Sequence, residues 1–187
     1  MSMNNAEREE LMAIIRELSY EEREVTLASG RKSNFYFDGK QTTLHPRGAV
    51  LVGKAFYDEL KHFPGPIEGV GGLTLGADPI ATATSMISSM EGNPIPAFII
   101  RKEPKGHGTG QWLEGRKNLK PGSRVVIVED VTTTGGSSMK AVDRARQEGL
   151  EVIGIITLVD REEGARENIE KEGLTLRAVL TRTQVVG

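Results

Sequence analysis

The chemistry in this chain concentrates between Val125 and Ser137. Val125-Val126-Ile127-Val128 is an unbroken β-branched apolar run, the mark of a strand buried on both faces of a parallel sheet. Glu129 and Asp130 arrive where that strand should end. Thr132, Thr133, Thr134, Gly135, Gly136 and Ser137 follow, and a helical pattern begins at about Gly136. A crevice at the carboxyl end of a strand in an open α/β sheet is where such folds place ligands. Hydroxyls and unobstructed backbone N–H groups at a helix N-terminus suit a phosphate dianion. The acid pair suits the hydroxyls and the metal ion of a sugar phosphate. Strand, acidic cap and helix are also ordinary α/β grammar, in which Asp130 could simply cap. Capping does not call for two adjacent acids and six consecutive small or hydroxylated residues. Other phosphate motifs are missing. No Gly-Lys-Ser/Thr ends a P-loop, and Gly69-Val70-Gly71-Gly72-Leu73-Thr74 lacks the last glycine of a dinucleotide fingerprint.

Three further stretches carry reactive types. Arg101-Lys102-Glu103-Pro104-Lys105-Gly106-His107-Gly108 joins three fixed cations, one acid and an imidazole on a glycine-bearing loop. It would equally serve as a solvated surface loop. In Ser29-Gly30-Arg31-Lys32-Ser33-Asn34-Phe35-Tyr36-Phe37-Asp38, aromatic rings lie beside exposed backbone and could stack on a flat base. Phe35 and Phe37 could instead fill a core, and alternation sends Tyr36 to the opposite face. Arg161 follows a buried strand at its carboxyl end; guanidinium is the natural bidentate partner of a carboxylate. Read alone, it pairs with Glu162 or caps a helix.

The elements that must position these residues alternate. About Asn5 to Ser19 reads as an amphipathic helix through Leu11, Ile14, Ile15 and Leu18. Short strands at Val25–Leu27 and Phe35–Asp38 flank a turn. A helix from Pro46 to about Phe63 is closed by Pro64-Gly65-Pro66. Then come strand Ile67–Gly71, helix Gly76 to about Ser89, strand Pro96–Arg101, and a loop from Lys102 to about Gly115. The strand at Val125, with its helix to about Glu148, precedes strand Glu151–Val159, helix Glu162–Lys171 and strand Thr175–Leu180. Strands alternating with helices imply a right-handed parallel sheet. The first helix and hairpin stand outside that alternation, as a small lobe over the site.

At 187 residues the chain suits one domain, residues 1–187, with about 1–40 in the lobe. A net charge of −2 makes no broad electrostatic case for nucleic acid or an anionic membrane. No run approaches the roughly 18 apolar residues of a membrane span. The polar, acidic N-terminus resembles no targeting peptide. Without cysteine there is no disulfide, thiol catalysis or thiolate metal site. His45, His62 and His107 form no zinc motif. The expected location is cytoplasmic.

The Val125–Ser137 run resembles the 13-residue signature of the type I phosphoribosyltransferases, which bind 5-phosphoribosyl-1-pyrophosphate. The Arg101–Gly108 loop sharpens the resemblance to the orotate phosphoribosyltransferase family, whose mobile loop reads Arg-Lys-Glu-x-Lys-x-His-Gly. The likeness implies an α/β type I phosphoribosyltransferase-like fold: a central, mostly parallel sheet flanked by helices, with a small N-terminal hood. It implies Mg²⁺-dependent transfer of phosphoribosyl to N1 of orotate. Asp130, Lys102, Lys105 and His107 would be catalytic. Glu129 and Asp130 would take ribose hydroxyls or metal-bound water. Thr133, Thr134, Gly135, Gly136 and Ser137 would hold the 5-phosphate, Arg101 the pyrophosphate, Arg161 the orotate carboxylate, and Tyr36 or Phe37 the base. Gly71–Gly76 resembles the family's pyrophosphate loop. The family also implies a homodimer whose loop completes the partner's site. Two departures stand out: many members carry lysine where this chain has Ala28, and again near Leu75. The competing expectations are a purine or uracil phosphoribosyltransferase and a non-catalytic regulator on the same fold.

Overall fold

The computed structural model describes residues 2–26, 30, 32–104 and 111–187. The chain opens with α1 (Asn5–Ile14), which continues through a π-helical turn, Ile15–Ser19, into the hairpin of β1 (Tyr20–Thr26) and β2 (Lys32–Phe37). This hairpin forms its own two-stranded antiparallel sheet. A single-turn helix, α2 (Lys40–Thr43), and a long one, α3 (Pro46–Leu60), lead to β3 (Gly69–Leu73), α4 (Ala77–Met90), β4 (Ala97–Ile100) and β5 (Leu113–Glu114). The rest alternates: β6 (Arg124–Thr132), α5 (Gly136–Gln147), β7 (Glu151–Asp160), α6 (Ala165–Lys171), β8 (Thr175–Thr181) and α7 (Arg182–Val186).

The main sheet runs β5-β4-β3-β6-β7-β8, parallel except for β5, which pairs antiparallel to β4. From β3 the chain steps outward to β4; from β6 it steps the other way, to β7 and β8. The order therefore reverses between β3 and β6, and a crevice opens at their carboxyl ends.

Strand β6 is buried on both faces, as its composition requires. Val126 and Val128 face a core built with α1, α3, α4 and Phe35 and Phe37 of the hairpin. Val125 and Ile127 face a second core with Ala141, Val142 and Ala145 of α5 and Ile169 of α6. All four are fully buried. Each contributes roughly 1.5–3 kcal/mol through its buried area, so β6 is held rigidly and its far end is a fixed platform. Among the described residues no helix is long and apolar enough to cross a membrane.

Several expected boundaries move. The anticipated loop from Lys102 to Gly115 contains β5, which two alternating residues could not announce. Strand β1 starts at Tyr20, five residues early, because its acidic run Glu21, Glu22, Glu24 hides a strand exposed on most of its length. Helix α6 begins at Ala165 rather than Glu162. Glu162 has φ 58° and Gly164 φ 96°, conformations that no α-helix contains. Helices α2 and α7, too short for a periodic signal, were not anticipated.

Candidate active site

Period-two alternation continues past the apolar part of β6 and separates the two acids. Glu129 follows Val125 and Ile127 towards α5, where Ser137 Oγ donates to its Oε2 at 3.0 Å. Asp130 follows Val126 and Val128 towards the hairpin. A Cβ on Gly39 would sit 2.8 Å from Asp130 Cβ, and one on Gly76 would sit 2.6 Å from its Oδ1. Backbone from the hood and from the loop after β3 therefore closes on Asp130, and both closures need glycine. The amide of Val131 donates to Asp130 Oδ1 at 2.9 Å. Both acids are nearly buried, 6% and 8% exposed. Burial first, and then the neighbouring charge of Asp130, pushes the Glu129 carboxyl up to about 8. Two adjacent carboxylates shielded from water favour whatever brings positive charge or hydroxyl donors to them.

The loop after β6 is an anion cradle. Gly135 has φ 84° and caps α5 without a side-chain hydrogen bond, which leaves the first-turn amides without a side-chain cap among the described residues. Thr134, Gly136 and Ser137 are exposed and Thr133 half-buried around them. Asn168 of α6 donates from Nδ2 to the Thr134 carbonyl at 3.0 Å, pinning the loop from below. Nothing in the sequence singles out Asn168; only the packing of α6 brings it there. Thr132 Oγ1 and Ser138 Oγ, beside this loop, are buried without a hydrogen-bond partner among the described residues.

Arg161 lies at the end of β7, 7% exposed. Its Nε donates to Glu163 Oε1 at 3.0 Å and its Nη2 to Ser33 Oγ of β2 at 3.1 Å, with the guanidinium carbon 5.2 Å from the centre of the Phe35 ring. The expected alternative pairing with Glu162 does not form. Glu162 instead accepts from the amide and hydroxyl of Thr183, at 2.9 and 2.6 Å. Nε and Nη2 are thus engaged, and among the described residues Nη1 makes no hydrogen bond. Phe35 and Phe37 stack nearly parallel, 6.0 Å apart, in the core. Tyr36 takes the opposite side, half-buried, under the guanidinium of Arg23 at 3.8 Å. Phe37 also reaches the acid pair's surroundings, since its Cε1 lies 3.3 Å from a Cβ placed on Gly39.

Arg101 and Lys102 line a cleft of about 510 Å³ with Leu73, Trp112, Lys140 and Arg144. Arg144 stacks on Trp112 at 3.5 Å. Lys140 and Arg144 are neighbours of the loop that the sequence does not announce: helix α5 brings them round one and two turns beyond the phosphate cradle. Arg101 has a counter-charge outside its own loop segment. Its Nη1 pairs with Glu114 of β5 at 2.9 Å, while Nε donates to the Glu103 carbonyl. Lys105 and His107 lie outside the described residues, as does Ala28.

The loop after β3 runs into α4. Its Thr74–Leu75 peptide is cis, and Thr74 Oγ1 donates to Asp78 Oδ2 at 2.7 Å. Leu75 is 65% exposed. Beside it an apolar groove of about 480 Å³ is lined by Lys40, Leu44, Leu75, Pro79 and Met86, among others. Lys40, also missed in the sequence, puts Nζ 2.7 Å from Asp38 Oδ1 and 3.9 Å from Asp130 Oδ2. The Lys40 ammonium holds a charge strengthened first by Asp38 and then by Asp130. Among the described residues no group of three or more His, Cys, Asp or Glu could hold a metal ion. A cation here would therefore rest on the acid pair, water and ligand oxygens, as Mg²⁺ commonly does.

Known proteins resemble this chain in sequence and in fold. The phosphoribosyl transferase domain family matches residues 38–181. The chain is 50% identical over 183 residues to the orotate phosphoribosyltransferase of Aquifex aeolicus (strain VF5), a match spanning 96% of this chain and 98% of that protein. Two crystal structures of the Mycobacterium tuberculosis H37Rv orotate phosphoribosyltransferase superpose on it. The one in complex with Fe(III) dicitrate has a TM-score of 0.82 at 42% identity, covering 96% of this chain and 98% of that one. The one in complex with 5-phospho-alpha-D-ribosyl 1-diphosphate has a TM-score of 0.78 at 40% identity, covering 97% and 99%.

Proposed function

Since this chain belongs to the orotate phosphoribosyltransferases, within the phosphoribosyl transferase family, we propose that it transfers 5-phosphoribosyl from phosphoribosyl pyrophosphate to N1 of orotate. The products are orotidine 5′-monophosphate and pyrophosphate, a step of pyrimidine nucleotide synthesis. The observation that carries the reading is the continuous run from Glu129 to Ser137, an acid pair joined to a glycine-capped helix N-terminus at the point where sheet order reverses.

The C1–O bond to pyrophosphate breaks as N1 of orotate bonds to C1, through an oxocarbenium-like state. No protein nucleophile is needed. Amides of Gly135, Gly136 and Ser137, with the hydroxyls of Thr133, Thr134 and Ser137, take the 5-phosphate. Glu129 and Asp130 accept hydrogen bonds from the ribose hydroxyls and place negative charge near the carbon that becomes positive. In this reading Asp130 also takes a proton. The Nη1 side of Arg161 receives the orotate carboxylate, and Phe37 or Tyr36 lies against the base. Arg101 and Lys102, with Lys105 and His107 further along the loop, cover the departing pyrophosphate, His107 as its acid. Mg²⁺ fits the buried acid pair: Glu129 and Asp130 would hold it through water or ribose hydroxyls, and it would neutralise pyrophosphate charge.

The functional unit is a homodimer with the loop acting on the partner's site. What supports this is the exposed apolar surface of Leu44, Leu75, Met86 and Met90 beside the site, of a kind that marks an interface. The cytoplasm, where charged nucleotide precursors are held, is the proposed location. The test is turnover of orotate with phosphoribosyl pyrophosphate, run beside uracil and adenine. A site built around a carboxylate rejects bases lacking one, so uracil and adenine should be essentially inert. Comparable turnover of either would replace orotate as the substrate.

A further inference from the structure

The loop after β3, Thr74-Leu75-Gly76, carries no cation of its own. Its middle residue, Leu75, is exposed, and Arg101 is already paired with Glu114. We infer that Lys40 is a further substrate-binding residue, whose ammonium leaves Asp38 to contact the pyrophosphate group of the bound phosphoribosyl donor. This rests on the function proposed above and deepens it.

Three features point to Lys40. The first is position. Its ammonium is 3.9 Å from Asp130 Oδ2, on the hood side of the acid pair. Its neighbour Gly39 packs directly against Asp130, which fixes the backbone from which the side chain springs. Secondly, Lys40 and Leu75 line one groove, so the cation stands beside the position where the loop after β3 lacks one. The third is freedom to move. The Lys40 side chain is 42% exposed, and its bond to Asp38, itself 21% exposed, is the kind of partly solvated ion pair that contributes little. A four-carbon stem on a fixed backbone can exchange that carboxylate for a dianionic phosphate at small cost. Among the described residues, the titratable groups that act on the ammonium are Asp38, Asp130 and Tyr36. None is a cation that would oppose the move.

A purely architectural Lys40, holding α2 to the hood through Asp38, makes different predictions. The experiment is calorimetric titration of inorganic pyrophosphate with Mg²⁺ into the full-length wild type, Lys40→Gln, Lys40→Arg and Asp38→Asn, beside KM values for both substrates. Lys40→Gln should weaken pyrophosphate binding and raise KM for phosphoribosyl pyrophosphate by about 10- to 150-fold, as for one lost hydrogen bond to a charged group. KM for orotate should stay within about twofold. Lys40→Arg should recover much of the loss. Asp38→Asn should bind pyrophosphate at least as well as wild type, because it frees the ammonium. Unchanged binding by Lys40→Gln overturns the inference alone. So does an equal loss in Asp38→Asn, or a parallel rise in the orotate KM. If the wild type binds no pyrophosphate and turns over no orotate, the proposed function falls and this inference with it.

Discussion

Arg161 and Ser33, 128 positions apart in the chain, meet through a 3.1 Å hydrogen bond from Nη2 to Oγ. The contact ties the hood to the carboxyl end of β7, so the group proposed to clamp orotate is also the group that holds the hood down. Arg161→Ala should therefore cost on two fronts. Removing one partner of a buried charge pair typically costs about 2–5 kcal/mol in binding, roughly 30- to several thousand-fold in kcat/KM for orotate. Thermal stability should fall as well, since Glu163 loses its 3.0 Å partner. Ser33→Ala should be milder, with a raised orotate KM and an unchanged KM for phosphoribosyl pyrophosphate. Steady-state kinetics with each substrate varied separately provide the check.

Gly76 carries helical angles, φ −59° and ψ −41°, that alanine adopts freely. Its backbone does not need glycine; Asp130 does. A Cβ there would lie 2.6 Å from Asp130 Oδ1 and force the carboxylate to turn. Displacing a reacting group by about 1 Å can cost on the order of 100-fold. Gly76→Ala should thus lose roughly that much kcat while melting within a few degrees of wild type. Asp130→Asn should behave alike, losing far more activity than stability. Normal turnover by Asp130→Asn would remove the acid pair from the mechanism.

Glu129 should leave a signature in the pH dependence of stability. Its folded value, about 8, lies above the ordinary carboxyl value of 4.5, because burial and then Asp130 disfavour its charge. The folded state thus holds a proton that the unfolded state releases, and stability must fall as pH rises between those values. Without ligand, Glu129→Gln should gain thermal stability relative to wild type from pH 5 to pH 8. A difference in Tm that stays constant over that range would show that Glu129 is ionised throughout. Mg²⁺ with phosphoribosyl pyrophosphate should narrow the difference by supplying positive charge and hydroxyl donors.

The loop carrying Lys105 and His107 is proposed to act on the partner subunit, closing to exclude water from an oxocarbenium that water could trap. Mixing Lys105→Ala with Asp130→Asn, each nearly inactive alone, should restore activity, because the heterodimer has one intact site and one with both defects. No recovery after confirmed subunit exchange would mean that each loop serves its own chain. Disrupting the proposed interface with Met86→Glu should yield inactive monomers, measurable by sedimentation.

Much of this was legible in the residues alone. The apolar run at Val125, the acids after it and the glycine-capped helix specify strand, site and cradle by short-range rules: β-branching, period-two alternation, and the conformational freedom of Gly135. Such rules act over a few residues, so a string of letters carries them. Alternation even places Glu129 and Asp130 on opposite sides of the sheet. What spacing could not supply was every contact made by two distant segments. Lys40 beside Asp130, Ser33 on Arg161, Asn168 under Thr134 and Glu114 against Arg101 join stretches of unrelated pattern. Each depends on how whole strands and helices stack, which follows from burying two apolar faces of one sheet at once. Those partners decide which charges in the site are already paired and which remain for a ligand.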